Sequence, residues 1–304
     1  MINCPICENK QGELIIDSFL PKYRQCKICG GSFTTYDEKD IYGEEYFSEK
    51  TKPPLISRLV LPLFDFFYYL RIKKIKNLFK NNSNPKILDY GCGSGKLVEK
   101  LLKQNINIVG FEPSESAGII AHGKNLPVYD KINPPAGGYD LVMFWHSLEH
   151  TPNPLEVLVK VRDYLSENGK LLIAIPNAGS FEAKIFKENW FHYDYPFHLI
   201  QFTPETLEIM FSKSGLKIVK FNYFNPEYTI SGLIQSFLNW FLPKDALYSI
   251  TSHRRLSMPS GKAAFLTLAS TVLLALFFPL IILFFLFELI FRKTGAMLVI
   301  VKHV

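Results

Sequence analysis

The middle of the chain alternates short apolar runs with segments whose apolar residues recur at helical spacing. The apolar runs predict strands, and the amphipathic segments between them predict helices. Such an alternation is typical of a parallel sheet with helices on both faces, because parallel strands need a long crossover connection. We predict strands at 86–90, 106–111, 126–129, 139–144 and 170–175, and helices at about 95–104, 114–123 and 153–167.

The C-terminal part of the chain departs from this pattern. Two further strands are predicted at 217–224 and 295–304, and the segment between them is more apolar than such a sheet requires. Ala263–Phe287 contains no charged residue, and it is long enough for one membrane span. Because both flanks must return to the same sheet, we expect a re-entrant, membrane-inserted helical hairpin that turns near Pro279 instead of a single crossing.

Basic residues stand on both sides of this apolar segment, as expected if both of its ends face the cytoplasm. They are Arg254, Arg255, Lys262, Arg292 and Lys293. The stretch Leu55–Lys80 is also apolar, and it contains Pro62, which we expect to interrupt its helix. Its basic end would allow it to lie at a membrane interface, or it could be an ordinary helix that precedes the first strand of the sheet.

Composition narrows the range of partners. The 304 residues are 48% hydrophobic, and the formal net charge of +6 is too small to indicate nucleic-acid binding but suits an anionic membrane surface. The N-terminus does not have the pattern of a secretory signal. We therefore expect a protein at the cytoplasmic face of the membrane, held by a monotopic or re-entrant anchor, with membrane lipid as a partner and no nucleic acid.

Four of the five cysteines form two C-x-x-C pairs near the N-terminus. Cys4 and Cys7 form the first pair, and Cys26 and Cys29 form the second. The spacing between the pairs predicts a tetrahedral zinc site in a small ribbon, whose folding depends on the metal because the segment is too short to have its own core. Four protein ligands indicate a structural zinc. Two disulfides or four unrelated thiols are the alternative interpretations.

A glycine-rich turn follows the first predicted strand of the sheet. Asp89 ends the strand, and a helical segment begins at Lys96. The glycines between them, at alternate positions, are Gly91, Gly93 and Gly95. Such a turn lets backbone N–H groups and a helix N-terminus approach a ligand closely. Lys96 does not fit the dinucleotide pattern G-x-G-x-x-G, and Leu97 does not fit the phosphate-loop pattern.

This turn resembles the first motif of class I S-adenosylmethionine-dependent methyltransferases, D/E-x-G-x-G-x-G. The second motif of that family is an acidic residue that ends the next strand, and Glu112 matches it. The resemblance covers roughly residues 85–224, including Leu148-Glu-His150 after the fourth strand, and the final residues rejoin it. It implies a Rossmann-like sheet, parallel with an antiparallel last strand, and S-adenosylmethionine as the cofactor.

The resemblance also implies a role for each part of the motif. The glycines would let the backbone approach the methionine part of the cofactor, Asp89 would orient its ammonium group, and Glu112 would accept the ribose hydroxyls. Aromatic side chains after the fourth strand would favour the sulfonium cation. The predicted cofactor-binding residues are Asp89, Gly91, Cys92, Gly93, Gly95, Glu112, Pro113, Ser114, Phe144, Trp145 and His146.

Methyl transfer to a hydroxyl requires a group that removes the proton, and histidine is the natural base near neutral pH. We predict His150 and His198 as the catalytic residues. The segment His146–His150 resembles the E-x-x-E-H segment of ubiquinone-pathway O-methyltransferases, which can hold a divalent ion, but histidine replaces the first glutamate. Glu149 and His150 could instead shape the loop, and His198 could form a wall of the acceptor pocket.

Together these patterns predict an α/β enzyme, a membrane-bound class I methyltransferase with an N-terminal zinc ribbon. Its expected acceptor is a hydroxyl of a lipid-linked or envelope glycan intermediate. The alternatives are an RNA methyltransferase and a non-catalytic membrane scaffold. The predicted domains are the zinc ribbon (1–35), a linker and leading helix (36–84), the methyltransferase core (85–225), a membrane-associated insertion (226–294) and the final strand of the core (295–304).

Overall fold

The computed structural model of the protein describes residues 3–9, 14–16, 20, 22–34, 55–79, 84–251 and 260–304. Residues 36–54 of the predicted linker and leading helix, and the basic residues Arg254 and Arg255, lie outside the described residues. The strands are β1 (Leu14–Ile16), β2 (Arg24–Cys26), β3 (Ser32–Phe33), β4 (Ile87–Tyr90), β5 (Ile108–Phe111), β6 (Val128–Tyr129), β7 (Tyr139–Trp145), β8 (Leu165–Pro176), β9 (Ile200–Gln201), β10 (Leu216–Asn222) and β11 (Ala296–His303). The helices are α1 (Leu55–Asn77), α2 (Lys96–Leu102), α3 (Glu115–Gly123), α4 (Pro154–Arg162), α5 (Phe181–Phe186), α6 (Pro204–Lys213), α7 (Pro226–Leu238), α8 (Ala246–Thr251) and α9 (Ser260–Phe291).

The core is a seven-stranded sheet in the order β10-β11-β8-β7-β4-β5-β6. The strands from β8 to β6 are parallel, whereas β11 runs antiparallel between β8 and β10. This order confirms the predicted class I sheet with an antiparallel last strand. Because the parallel strands all end at one edge, the residues that follow β4, β5, β7 and β8 meet there.

Helices cover both faces of the sheet, as the alternation along the chain predicts. In β7, Leu141 and Met143 are buried on the side of α1 and α2, whereas Val142 and Phe144 are buried on the side of α4 and α6. Successive residues of a strand point to opposite faces, so a strand buried on both sides is apolar throughout. The same alternation places Trp145 on the α1 side.

The ribbon is joined to the core by a strand pair that the sequence does not predict. β3 pairs antiparallel with β9, which belongs to the segment before α6. The hydroxyl of the buried Tyr23 lies 2.6 Å from the carbonyl oxygen of His198 and 3.1 Å from that of Tyr193. Gln201 Nε2 donates a hydrogen bond to the same hydroxyl at 3.1 Å. The ribbon therefore supports the segment that carries His198.

The expected hairpin turn at Pro279 is wrong, because α9 is one continuous helix of 32 residues. Its length is about 48 Å at about 1.5 Å per residue. α1 likewise continues through Pro62, where we expected an interruption. A proline removes one backbone donor, but the remaining hydrogen bonds and the neighbouring elements can hold a long helix together. The described part of the predicted insertion (226–294) also contains α7 and α8, which pack along α9.

The two sides of α9 have different surroundings. On one side, Phe277 lies 5.2 Å from Phe237 of α7, and Phe287 lies 4.9 Å from Phe181 of α5, measured between ring centroids. The opposite side is apolar and exposed; its large side chains include Phe265, Leu268, Val272, Leu276, Leu280, Leu283 and Ile290. Gly261–Phe291 is long and apolar enough to cross a membrane, and only 6% of its most apolar stretch is buried in the protein.

Candidate active site

The glycine turn between β4 and α2 has the backbone geometry that its sequence predicts. Gly91, Gly93 and Gly95 have φ angles of 76°, 56° and 73°, in the left-handed region that favours glycine. A Cβ atom at Gly93 would meet nothing within 4 Å, whereas one at Gly91 would approach the Cβ of Ser147 within 2.5 Å. Ser147 Oγ donates to the carbonyl of Tyr90 at 2.6 Å. The turn therefore packs against the loop after β7 and leaves room over Gly93.

The carboxylate of Glu112 lies over this turn. Its Oε2 accepts a hydrogen bond from the N–H of Gly93 at 2.8 Å, and its Oε1 accepts one from the N–H of Ser114 at 3.0 Å. Pro113, which stands between Glu112 and Ser114 in the chain, is exposed. Burial raises the pKa of Glu112, and the two hydrogen bonds act in the opposite direction. Glu112 thus holds the turn, and its position suits the predicted contact with ribose hydroxyls.

Asp89, at the end of β4, is only 3% exposed. Burial raises the pKa of its carboxyl to about 7; the positive charge of Arg71 opposes this rise, and the negative charge of Glu112 adds to it. The carboxyl is therefore only partly ionised at neutral pH, and a cation placed beside it would favour the ionised form. This is the charge preference expected of a site for an ammonium group.

Arg71 of α1 belongs to this edge of the sheet, and the sequence analysis missed it. Its Nη2 lies 2.5 Å from Oε2 of Glu227 in α7, and its Cζ lies 4.3 Å from the ring centroid of Trp145. The ring of Tyr68 lies 4.7 Å from the same Cζ. Arg71 therefore connects α1, α7 and the end of β7. It is one of several basic residues at the end of an apolar helix, and its spacing does not distinguish it from the others.

Three of the predicted cofactor-binding residues also pack within the fold. Phe144 is fully buried, and its ring centroid lies 4.8 Å from that of Tyr90. Trp145 points to the opposite face, and its Nε1 has no hydrogen-bond partner among the described residues. Cys92 lies over Gly110, where a Cβ atom would approach its sulfur within 2.5 Å. The close contact at Gly110 explains why that position carries no side chain.

His146, the residue after β7, is held in an unusual conformation. Its φ of 53° is uncommon for a residue with a side chain. Its Nδ1 lies 3.1 Å from Oε1 of Glu149, and its ring stacks on Tyr228 at 3.5 Å between centroids. Burial lowers the pKa of His146 to about 3, so the contact with Glu149 is a hydrogen bond and not an ion pair at neutral pH. An ionised Glu149 can only accept a hydrogen bond, so Nδ1 of the neutral His146 ring must carry the proton. The lone pair of His146 is then on Nε2.

The two predicted catalytic histidines lie next to each other. The ring centroids of His150 and His198 are 4.8 Å apart. His150 Nδ1 lies 2.9 Å from the carbonyl oxygen of Phe197, and His198 Nδ1 lies 2.9 Å from that of His192. A carbonyl oxygen only accepts, so Nδ1 of each neutral ring carries the proton and Nε2 carries the lone pair. Burial lowers the pKa of both histidines to about 4, so both rings are neutral at pH 7.

Glu149 lies beside these two histidines and is fully buried. Burial raises the pKa of its carboxyl, and the two histidines oppose that rise. One ligand atom each from Glu149, His150 and His198 lie within 4.8 Å of one another. Two imidazole nitrogens and a carboxylate form a ligand set that divalent transition metals accept. The third member of this set comes from His198, which no short sequence motif would connect with Glu149.

Comparison with known proteins identifies the family. A family model described as a methyltransferase domain matches residues 65–220, just over half of the chain. The chain belongs to this methyltransferase domain family. It is a class I S-adenosylmethionine-dependent methyltransferase, which confirms the expectation from the glycine turn and Glu112. The matched region also contains Arg71 and both predicted catalytic histidines.

The methyltransferase is similar to ubiquinone biosynthesis O-methyltransferases. It is 24% identical over 185 residues to the protein of that name from Bordetella avium (strain 197N), a match that covers 54% of this chain and 77% of that protein. It is 34% identical over 100 residues to the one from Hydrogenovibrio crunogenus (strain DSM 25203 / XCL-2), a match that covers 29% of this chain and 41% of that protein. The chain therefore spans less than half of the second relative.

Solved structures of other methyltransferases are also similar to this chain. The CcbJ methyltransferase from Streptomyces caelestis has a TM-score of 0.48 at 12% identity, covering 88% of this chain and 100% of that chain. The O-methyltransferase of a trans-AT PKS multienzyme from Brevibacillus brevis, in complex with S-adenosyl-L-homocysteine, has a TM-score of 0.46 at 15% identity. That match covers 85% of this chain and 82% of the other.

The ribbon of the methyltransferase brings its four cysteines together. The sulfurs of Cys4 and Cys29 are 3.6 Å apart, those of Cys7 and Cys26 are 3.9 Å apart, and all four lie within 4.8 Å of one another. A tetrahedral zinc with Zn–S bonds of about 2.3 Å places its sulfurs about 3.8 Å apart, whereas a disulfide requires about 2.05 Å. The four thiols are free. Their spacing fits a metal ion better than the alternative of two disulfides.

Proposed function

We propose that this methyltransferase transfers a methyl group to a hydroxyl of a lipid-linked acceptor, such as a lipid-linked or envelope glycan intermediate, at the cytoplasmic face of the membrane. The observation that carries this proposal is the long exposed apolar side of α9. A protein in water rarely exposes such a large contiguous apolar surface. Burial in lipid stabilises it by about 25 cal/mol for each Å² removed from water.

The attachment of α9 to the core would hold the active site at the lipid surface. The ring of Phe285 in α9 lies 6.2 Å from that of Phe224, which follows β10. Further along, Glu288 Oε1 accepts a hydrogen bond from the N–H of Glu182 in α5 at 3.1 Å. α5 follows β8, and β10 runs parallel to β8, so α5 and Phe224 both lie at the edge where the parallel strands end. An acceptor anchored in the membrane would therefore need to move only its polar end into the site.

The residues present fit the expected chemistry. When S-adenosylmethionine is bound, it supplies an activated methyl group for an in-line displacement, so the protein mainly positions the acceptor and removes its proton. Asp89 would hold the ammonium group, and Glu112 the ribose, beside the open backbone of Gly93. His198 would take the acceptor proton on Nε2, because its Nδ1 already donates to a carbonyl. His150 is the alternative base, in the same orientation.

The names of the two relatives support a small acceptor that carries a hydroxyl, since both are O-methyltransferases of ubiquinone biosynthesis. A precursor of ubiquinone is therefore the second candidate for the acceptor. It would reach the site from the membrane in the same way as a lipid-linked glycan. The modest net charge of +6 favours either of these over RNA.

Labelling of a membrane extract with tritiated S-adenosylmethionine, followed by mass analysis of the labelled product, tests this proposal. We expect a labelled hydroxyl on a molecule that partitions into organic solvent. Replacing Leu276 and Leu283 on the exposed side of α9 by lysine should reduce both membrane binding and labelling. The matched control replaces Ile119 and Val219, which are 64% and 54% exposed away from α9, by lysine. Full activity on a water-soluble sugar nucleotide, unchanged by the α9 substitutions, would contradict the proposal.

We also infer that the four ribbon cysteines hold a structural zinc ion. The ion would maintain the ribbon, and through Tyr23 it would support the backbone around His198. Metal analysis of the purified protein should find one zinc per chain. Cys26→Ser should lower that content, whereas Cys92→Ser, which changes the one cysteine outside the ribbon, should not. Unchanged zinc content in the Cys26 variant would contradict this assignment.

A further inference from the structure

A groove of about 430 Å³ lies beside the cofactor site, between α1 and the outer strands β10 and β11. Its floor includes Leu298 and Ile300 of β11. Arg71 and Trp145 line the end of the groove that meets the edge of the sheet. The glycine turn and Glu112 are not part of its lining, so the groove is a separate space next to the cofactor site.

Unpartnered donors are concentrated in this groove. Nε of Arg71, Nε1 of Trp145 and Nδ2 of Asn225 are buried, and none has a hydrogen-bond partner in the part of the chain that the structure describes. The three residues are only 8%, 8% and 4% exposed. The carboxylate in the lining, Glu227, is already paired with Arg71. A buried donor without a partner costs about 1–3 kcal/mol, so three donors in one groove indicate a ligand that supplies acceptor oxygens.

Positive charge at the rim indicates the same kind of ligand. Lys73, Lys74 and Lys220 line the groove, and none of them forms an ion pair with a described residue. Burial lowers the pKa of Lys74, and the nearby positive charge of Lys220 lowers it further. Like charges that approach each other without an intervening carboxylate favour an anion between them.

The apolar part of the groove leads towards the membrane helix. Phe67 and Leu70 of α1 line one side, and Phe224 lines the end of β10. The ring of Phe224 lies 6.2 Å from that of Phe285 in α9. A ligand held by the donors at Arg71 and Asn225 can therefore extend a hydrocarbon chain past Phe224 without leaving an apolar surface.

We propose that this groove binds the phosphate or diphosphate group of the lipid-linked acceptor. Its oxygens would accept hydrogen bonds from Arg71, Trp145 and Asn225, and Lys74 and Lys220 would neutralise its charge. This inference rests on the proposed function and adds that the acceptor is anionic next to its lipid. A phospholipid headgroup offers the same chemistry, so the experiment must separate the two sources.

Calorimetric titration of the full-length protein in a neutral detergent provides the test, with farnesyl diphosphate as the probe. We expect binding of farnesyl diphosphate, weaker binding of inorganic pyrophosphate and none of farnesol. Replacing Lys74 and Lys220 by glutamine should weaken farnesyl diphosphate binding about tenfold or more, because charge-assisted contacts are lost. Replacing Lys213 and Lys217 by glutamine removes the same amount of charge outside the groove. This control should leave the binding of farnesyl diphosphate unchanged.

The proposal would be overturned by equal weakening by both pairs of substitutions, by binding of farnesol as tight as that of the diphosphate, or by tighter binding of dioctanoyl phosphatidylglycerol than of farnesyl diphosphate. The last result would assign the groove to a membrane headgroup. The binding of S-adenosylhomocysteine is measured on the same samples. If it binds and farnesyl diphosphate does not, the groove proposal fails while the methyl transfer stands; if it does not bind, the proposed function itself fails.

Discussion

The cofactor side and the acceptor side of the sheet edge are built in different ways. The cofactor side consists of the short segment Asp89–Gly95 and of Glu112, which follows the adjacent strand. The proposed acceptor side combines Arg71 from α1, Glu227 from α7 and His198 from the segment before β9. A turn whose geometry depends on its own glycines is encoded locally. A site that is assembled from distant helices depends on how those helices pack.

The two sides also differ in the charge that they favour. On the cofactor side, burial raises the pKa of two carboxyls, Asp89 and Glu112, so a cation in contact with them would favour their ionised forms. In the groove on the other side, Arg71 and Asn225 present donors that have no partner among the described residues, and lysines line the same groove. One side of the edge therefore favours a positively charged group, and the other side favours an anion.

The largest expected effect comes from Gly93→Arg, which changes the cofactor side alone. The substitution forces a side chain into a φ of 56° and fills the open space over the turn. We expect loss of detectable S-adenosylhomocysteine binding in calorimetry, a decrease of more than about a hundredfold. Gly123→Arg is the matched control, because a Cβ atom at Gly123 meets nothing within 4 Å and its φ is not positive. Intact binding in the Gly93 variant would place the cofactor elsewhere.

Arg71→Met tests the buried ion pair of the proposed acceptor side, whose arginine also acts electrostatically on Asp89. It would leave the carboxylate of Glu227 without its buried partner, and breaking such a pair typically costs about 3–5 kcal/mol. Urea denaturation should therefore show a decrease of about 3 kcal/mol in the free energy of unfolding. Adding Glu227→Gln should recover part of that loss. A double variant as unstable as the sum of the two single variants would show that the pair is not coupled.

The pH dependence of cofactor binding tests the raised pKa of Asp89. An ammonium group prefers the ionised carboxylate, so the affinity for S-adenosylhomocysteine should fall as the pH falls through 7, by at most about tenfold per pH unit. The free energy of unfolding of the unliganded protein should instead increase as the pH falls through 7. A carboxyl whose pKa is raised by folding stabilises the fold at low pH and loses this contribution as the pH rises through the folded pKa, here about 7.

Asp89→Asn should weaken the binding of S-adenosylhomocysteine at neutral pH and remove most of its pH dependence. The pKa of Glu112, which burial also raises, would account for any pH dependence that remains. Asp130→Asn changes an exposed aspartate and should leave the profile unaltered. A profile that is the same in wild type and in Asp89→Asn would show that Asp89 does not titrate in this range.

The smallest expected effect is that of Tyr23→Phe, which tests whether the ribbon supports the acceptor side. It removes the hydroxyl that lies 2.6 Å from the carbonyl oxygen of His198. We expect a decrease of about 1 kcal/mol in the free energy of unfolding and a lower kcat with cofactor affinity unchanged. Tyr129→Phe, at a tyrosine that is 52% exposed, is the control. Weaker cofactor binding in the Tyr23 variant would contradict the separation of the two sides.

The sequence by itself determined the strands of the seven-stranded sheet, the glycine turn, the acidic residue after β5 and the paired cysteines. Each of these features depends on interactions between residues that are close in the chain. A strand buried on both faces must be apolar throughout, a left-handed turn favours glycine, and a metal knuckle requires two thiols in one turn. Local rules of this kind were sufficient to predict the main sheet and the backbone geometry of the glycine turn.

Only the tertiary structure decided the course of α9 and the composition of the acceptor side. Pro279 predicts a turn when its helix is considered alone, but α7 and α8 pack along α9 and the helix continues. Arg71 becomes part of the site only because α1 crosses the end of β7, and His198 joins Glu149 only because the segment before β9 folds back over the sheet. The physical reason is that these contacts join residues far apart in the chain, and their distances depend on packing that no local pattern records.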